Sequence, residues 1–216
     1  GRVMGKGEPK YLNSKETPVF DKGANIYAAN LVKKKGTVDY IILCEGYIDV
    51  ISLHNAGIET AVASLGTAFT QGQARLIKRY TQNVYISYDG DGAGQRATMK
   101  ALDILSKEGC RVKVLSYPDG MDPDDFVRKK GGDGFRQLMK NALSEPAYRE
   151  SLIAAKYDLK DQSVHSDYAT EAVNAMKPIT DPIQLESGLK IISSKTGYTL
   201  ETLYEQLGSG RKRVQD

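Results

Sequence analysis

Tyr40-Ile41-Ile42-Leu43-Cys44-Glu45-Gly46-Tyr47-Ile48-Asp49, followed further on by Val84-Tyr85-Ile86-Ser87-Tyr88-Asp89-Gly90-Asp91-Gly92-Ala93-Gly94, decides the fold of this chain. Each stretch opens with an apolar run of the kind a strand buried on both faces requires. Each then passes at once to carboxylates and glycine, and from there into a helical pattern. Working outward, residues 47–56 read as a helix with Ile48, Ile51 and Leu53 apolar, and Thr60–Ala63 as a short strand. Thr70–Tyr80 reads as a helix with Thr70 as N-cap. Residues 93–107 form a helix with Ala97, Ala101, Leu102 and Leu105 on one face. Arg111–Leu115 is a fourth strand and 124–130 a short helix behind a proline. This alternation predicts an α/β fold, a Rossmann-like parallel sheet covered by helices on both faces. In such a sheet the ligand site lies beyond the carboxyl ends of the strands.

The flanks differ. Residues 1–36 hold eight Lys or Arg against three acids and show little periodicity. Residues 132–207 are helical in pattern almost throughout, with Phe135, Leu138, Met139, Ala142 and Leu143 on one helix face. Asp181-Pro182-Ile183-Gln184 supplies an N-cap, a first-turn proline and an N3 amide. Leu185, Leu189 and Ile192 follow at helical spacing and Thr199 opens another helix, so a bundle of four or five helices is expected. The expected division is 1–36, 37–131 and 132–216.

Composition removes several classes. Lys and Arg total 30 against 27 acids, a net charge of +3, so no single sign dominates as in a histone-like tail. The apolar runs fall far short of the roughly 20 residues of a membrane span, and no basic-then-apolar signal pattern is read in these residues. Cys44 and Cys110 cannot build a disulfide framework or a four-thiolate zinc site, and both sit in strand-like runs as small core residues. Reduced thiols suit the cytoplasm. The chain opens Gly1-Arg2-Val3 without Met, and the expectation is a piece of a longer polypeptide.

The acids fall where the fold would use them. Glu45 follows the first strand, with Asp49 one helical turn on. Asp89 and Asp91 follow the third strand, and Asp119, Asp122, Asp124 and Asp125 follow the fourth. Parallel strands lie about 4.8 Å apart, so these carboxylates converge on one sheet edge. Close carboxylates repel unless a cation intervenes, and hard oxygen donors favour Mg²⁺, Mn²⁺ or Ca²⁺ over zinc. Asp-Gly and Pro-Asp-Gly are also plain turn chemistry. An EF-hand is discounted, because position 100 is Lys where its terminal glutamate would stand. Gly90, Gly92 and Gly94 free backbone amides where a helix begins, a place that suits phosphate.

Glu45-Gly46-Tyr47-Ile48-Asp49 and Asp89-Gly90-Asp91-Gly92-Ala93-Gly94 resemble the two motifs of the TOPRIM domain. The longer strings Pro9-Lys10-Tyr11-Leu12-Asn13-Ser14, Phe20-Asp21-Lys22-Gly23, Ser64-Leu65-Gly66-Thr67-Ala68 and Pro118-Asp119-Gly120-Met121-Asp122-Pro123-Asp124-Asp125 resemble the bacterial DnaG-type primases. That resemblance implies synthesis of short RNA primers for DNA replication by two-metal nucleotidyl transfer. It implies Glu45, Asp49, Asp89, Asp91, Asp122 and Asp124 as metal ligands, with Glu45, Asp89 and Asp91 catalytic. Lys10, Asn13 and Lys22 would contact nucleotide or template. It further implies Mg²⁺ or Mn²⁺ as cofactor, in two ions or more. Single-stranded DNA template, NTPs and RNA primer would be partners, in the bacterial cytoplasm at the replication fork and with no membrane. Zinc would belong to an upstream module and helicase binding to a carboxyl-terminal domain. Residues 1–36 would be a remnant of the basic polymerase subdomain, 37–131 the TOPRIM domain and 132–216 a helical subdomain. A fragment of this extent is expected to be weakly active or inactive alone.

Two other classes compete: another TOPRIM enzyme, nuclease or topoisomerase, and a non-catalytic nucleic-acid-binding fragment. The Tyr-Leu-Asn-Ser and Phe-Asp-Lys-Gly strings speak against the first, and acids intact at all three strand ends against the second. Elsewhere, Lys33-Lys34-Lys35 reads as a solvated face. Arg75, Lys78 and Arg79 share one helix face that serves template or merely surface. His54 reads as structural and His165 as exposed. Tyr47 and Tyr88 are the tyrosines placed to pack near a nucleotide.

Overall fold

The computed structural model describes residues 14–65 and 68–212. Lys10 and Asn13 lie outside them. Two compact units divide between Ala142 and Leu143.

In the first unit, helix α1 (Ala29–Lys35) precedes β1 (Ile41–Cys44), α2 (Tyr47–Asn55), β2 (Ala61–Ala63), α3 (Gln71–Lys78), β3 (Asn83–Ser87), α4 (Gly92–Lys107), β4 (Arg111–Val114) and α5 (Pro123–Lys140). The strands stand in the order β2-β1-β3-β4, and each neighbouring pair is parallel. Leu43 faces Val62 on one side and Ile86 on the other, which fixes β1 between β2 and β3. All four residues of β1 are buried, as its unbroken apolar run requires. Ile42, Cys44, Ala61 and Ala63 join one core with Val50 and Leu53 of α2 and with Phe126, Val127, Phe135 and Met139 of α5. Ile41 and Val62, on the alternate positions, line the opposite apolar space with Ile26, Val32 and Ile77. Both cysteines are free thiols inside the core.

Two features depart from the sequence expectation. The short helix at 124–130 does not stop but runs on to Lys140 through a kink at Gly131, whose φ of 67° is open to glycine at little cost. Residues 135–142 therefore pack on the sheet core, with Phe135 and Met139 buried there, rather than in the helical zone that their periodicity suggested. Leu143 is not on that helix; with Ser144 it forms the two-residue strand β5. An apolar stripe reports that a helix is covered, not what covers it.

The second unit, from Leu143, contains helices α6 (Glu145–Ala154), α7 (His165–Met176), α8 (Pro182–Thr196) and α9 (Leu200–Lys212) among its described residues. Its core is built on Tyr168, Ala172, Val173 and Met176 with Leu189, Ile192 and Leu203. Asp181 caps α8 as its sequence indicates, accepting from Gln184 N–H at 2.8 Å. His165 is half-buried rather than exposed, its Nε2 3.0 Å from the Leu159 carbonyl, which a polar neighbourhood in sequence conceals. No helix among the described residues is long and apolar enough to cross a membrane.

Candidate active site

Parallel pairing brings the carboxyl ends of β1, β3 and β4 to one edge, and each leads into an acidic loop and then a helix. Asp91 is the N-cap of α4, accepting from Gly94 N–H at 2.7 Å, and Asp122 caps α5, accepting from Asp125 N–H at 2.7 Å. Asp49, in the first turn of α2, reaches back to Gly46 N–H at 3.1 Å. Turn and cap chemistry is thus present, but each of these bonds occupies one carboxylate oxygen. Three helix amino termini also face this edge, and their partial positive charge offsets part of the acids' charge. Gly94 is required by close approach: a Cβ there would stand 2.1 Å from the Asp89 carbonyl oxygen.

The electrostatics tie the loops together. Partial burial pushes the Glu45 carboxyl up, the charges of Asp89 and Asp91 add to this, and a hydrogen bond from the Asp89 backbone acts the other way. Burial also drives Asp49, to about 7, against the Gly46 bond and with the help of Asp89, Asp122 and Asp124. Two overlapping groups emerge, one around Glu45 and one around Asp49, and Asp89 belongs to both. The charges that act on Glu45 and Asp49 are other carboxylates. Asp125 turns outward and is exposed. Asp124 has partners of its own: Ser52 Oγ donates to it at 2.5 Å and Arg128 Nε at 2.8 Å.

An oxygen-only donor set with mutual repulsion fits a hard divalent cation in its chemistry. Among the described residues no three His, Cys, Asp or Glu side chains stand at ligating spacing around one point.

Several supporting residues escaped the sequence reading. Ser87, fully buried at the end of β3, shares a 2.5 Å hydrogen bond with the hydroxyl of Tyr117 beyond β4. Burial raises the Tyr117 phenol, and the Tyr117 ring meets Phe126 of α5 edge-on at 5.5 Å. The pair pins the second and third acidic loops together from beneath. A serine ending an apolar strand was the available signal. Tyr88 is buried at 6% exposure, under the acids rather than open to a ligand. Tyr47 packs on Tyr27 with ring centres 4.8 Å apart. His54 bonds the Ala61 carbonyl at 2.9 Å, in keeping with a structural role. On α3, Arg75 pairs with Glu108 at 3.3 Å and Lys78 donates to the Glu108 carbonyl at 2.5 Å, so part of that basic face is spent on the end of α4.

Residues 42–127 match the Toprim-like family, and residues 1–33, which include Lys10, Asn13 and Lys22, match the DNA primase catalytic core, N-terminal domain. The DNA primase of Clostridium acetobutylicum is 44% identical over 97% of this chain. A structure of the DnaG catalytic core superposes with a TM-score of 0.77 at 32% identity, covering 94% of this chain and 67% of that one. The chain belongs to the bacterial DnaG primase family. A further member, a DnaG primase catalytic domain bound to ssDNA, superposes with a TM-score of 0.77 at 33% identity, over 91% of this chain and 63% of that one. The chain spans about a third of the length of the curated primases it matches, 35% for the Clostridium relative.

Proposed function

We propose that this chain is the acid-bearing catalytic region of a DNA primase and takes part in joining ribonucleotides into short RNA primers on single-stranded DNA. The observation that carries the reading is the meeting of acids from three strand ends at one edge of a parallel sheet, in a chain of the primase family. In this reading Glu45, Asp49, Asp89, Asp91, Asp122 and Asp124 hold Mg²⁺ or Mn²⁺, in two ions or more. Such ions, when bound, stabilise the attacking and leaving oxygens of an in-line displacement.

The chain's own residues do the rest. Asp91 and Asp122 each spend one oxygen on a helix cap, which leaves the other for an ion. The Ser87–Tyr117 bond holds the loops at their spacing. Glu45, at the rim with its affinity for a proton raised, is placed to take the proton from a primer 3′-hydroxyl. That oxygen bonds to the α-phosphorus of the incoming NTP as the bond to pyrophosphate breaks. Lys22, with Lys10 and Asn13, meets nucleotide or template phosphate. Residues 1–36 then belong to a basic polymerase subdomain and 37–131 to the TOPRIM domain, on whose core residues 135–142 pack, and the helical subdomain begins at Leu143. The work is done in the bacterial cytoplasm at the replication fork, alongside a replicative helicase.

The test supplies single-stranded template, NTPs and Mg²⁺ or Mn²⁺ to the chain alone and joined to flanking regions like those of its relatives. Template-dependent RNA, lost on Glu45→Ala or Asp89→Ala, is expected from the joined protein. Cleavage of the template, or no RNA from the joined protein, would contradict the reading.

A further inference from the structure

Gln73 lies in the first turn of α3 and is fully buried. A buried amide needs partners for its donors and its acceptor. Its Oε1 accepts from the Thr70 backbone N–H at 3.0 Å, and the Thr70 hydroxyl in turn accepts from Gln73 N–H at 3.1 Å. That pair is a capping box and would be complete without any further bond. The Nε2 donors go elsewhere: to the Lys22 carbonyl at 3.0 Å and to the Asn25 carbonyl at 2.8 Å. Thr70 Oγ1 also donates to the Gly23 carbonyl at 2.5 Å.

Three backbone carbonyls of the turn that carries Lys22 are therefore held by one helix amino terminus. From its other side the turn is closed by Asp21 Oδ1, which accepts from Gly23 N–H at 2.7 Å, and by Asn25 Nδ2, which donates to the Asp21 carbonyl at 2.7 Å. The Lys22 backbone is fixed while its side chain remains partly exposed. A fixed starting point lowers the ordering cost when a flexible lysine meets phosphate.

We infer that Gln73, seconded by Thr70, is a positioning residue that presents Lys22 to a nucleic-acid phosphate. The inference rests on the proposed role of Lys22. Its test measures binding of a fluorescein-labelled single-stranded DNA oligonucleotide to the primase carrying this chain, across a salt series, for Lys22→Ala, Gln73→Leu and the double variant. Each single variant should weaken binding about fivefold to tenfold and flatten the salt slope by about 0.7, the share of one phosphate on a single strand. The double variant should bind no more weakly than Lys22→Ala, because both changes remove one contact. A residue that only supports the fold would leave the salt slope unchanged.

Lys22→Ala effective beside a silent Gln73→Leu, or losses that multiply in the double variant, would overturn the inference alone. A silent Lys22→Ala would overturn it together with the reading beneath it. If Gln73→Leu does not fold, Thr70→Val, which removes the Gly23 bond and the cap hydroxyl, decides by the same salt-slope criterion.

Discussion

The two units treat their acids in opposite ways. In the second unit Glu145 is paired with Arg149 at 2.7 Å, with both side chains almost wholly buried, and Glu150 accepts from the Tyr168 hydroxyl at 2.5 Å and from Lys195 at 2.7 Å. Those carboxylates are neutralised from within the unit, and breaking such a buried pair is costly. At the sheet edge of the first unit, Glu45 and Asp49 are instead pushed up by burial and by other carboxylates. Acids answered by the chain's own cations are architecture. Acids gathered against one another are, in the proposed reading, answered by a cation from outside.

The sharpest way to break this contrast is to neutralise one acid on each side. Asp89→Asn, the acid common to both groups at the edge, should lower primer synthesis by about a thousandfold or more. It should leave the melting temperature of the ion-free protein unchanged or higher, as read by thermal denaturation. Arg149→Ala should do the reverse, costing about 3–5 kcal/mol in denaturant unfolding because Glu145 is left buried without its partner. The contrast fails if the two variants behave alike.

A smaller effect concerns pH. A carboxyl whose folded-state value is raised adds stability at low pH and loses it as pH climbs through that value. For Asp49, raised to about 7 and facing Asp89, Asp122 and Asp124, ion-free melting temperature should therefore fall from about pH 4 to about pH 7 and level off above that. Mg²⁺ should restore it at the upper end, and Asp49→Asn should flatten the slope. Smallest is Tyr117→Phe, which removes the bond to Ser87 and should cost about 1 kcal/mol in stability. Since it loosens the spacing of two acidic loops, it should also raise the Mg²⁺ concentration needed for half-maximal synthesis.

Much of the first unit could be read in advance because its signals are local. An unbroken apolar run marked β1 and strand-like stretches marked β2 to β4, Thr70 and Asp181 announced their caps, and the acids stood directly behind the strands. What escaped depends on pairs distant in sequence. Gln73 is visible as half of a capping box, yet its bonds to Lys22 and Asn25 join residues that only the fold brings together. The same holds for Ser52 and Arg128 on Asp124 and for Ser87 with Tyr117. The helix beyond Gly131 was legible as a helix, but its partner was not, since an apolar face fits a sheet as readily as a bundle.

The central claim, that the acids at this edge gather around divalent cations, is tested most directly by titrating Mn²⁺ into the chain and into Asp89→Asn, following free Mn²⁺ by electron paramagnetic resonance. Saturable uptake of two ions by the unaltered chain, weakened or lost in the variant, is the predicted result. Equal uptake by both, or none by the unaltered chain at millimolar Mn²⁺, would contradict it.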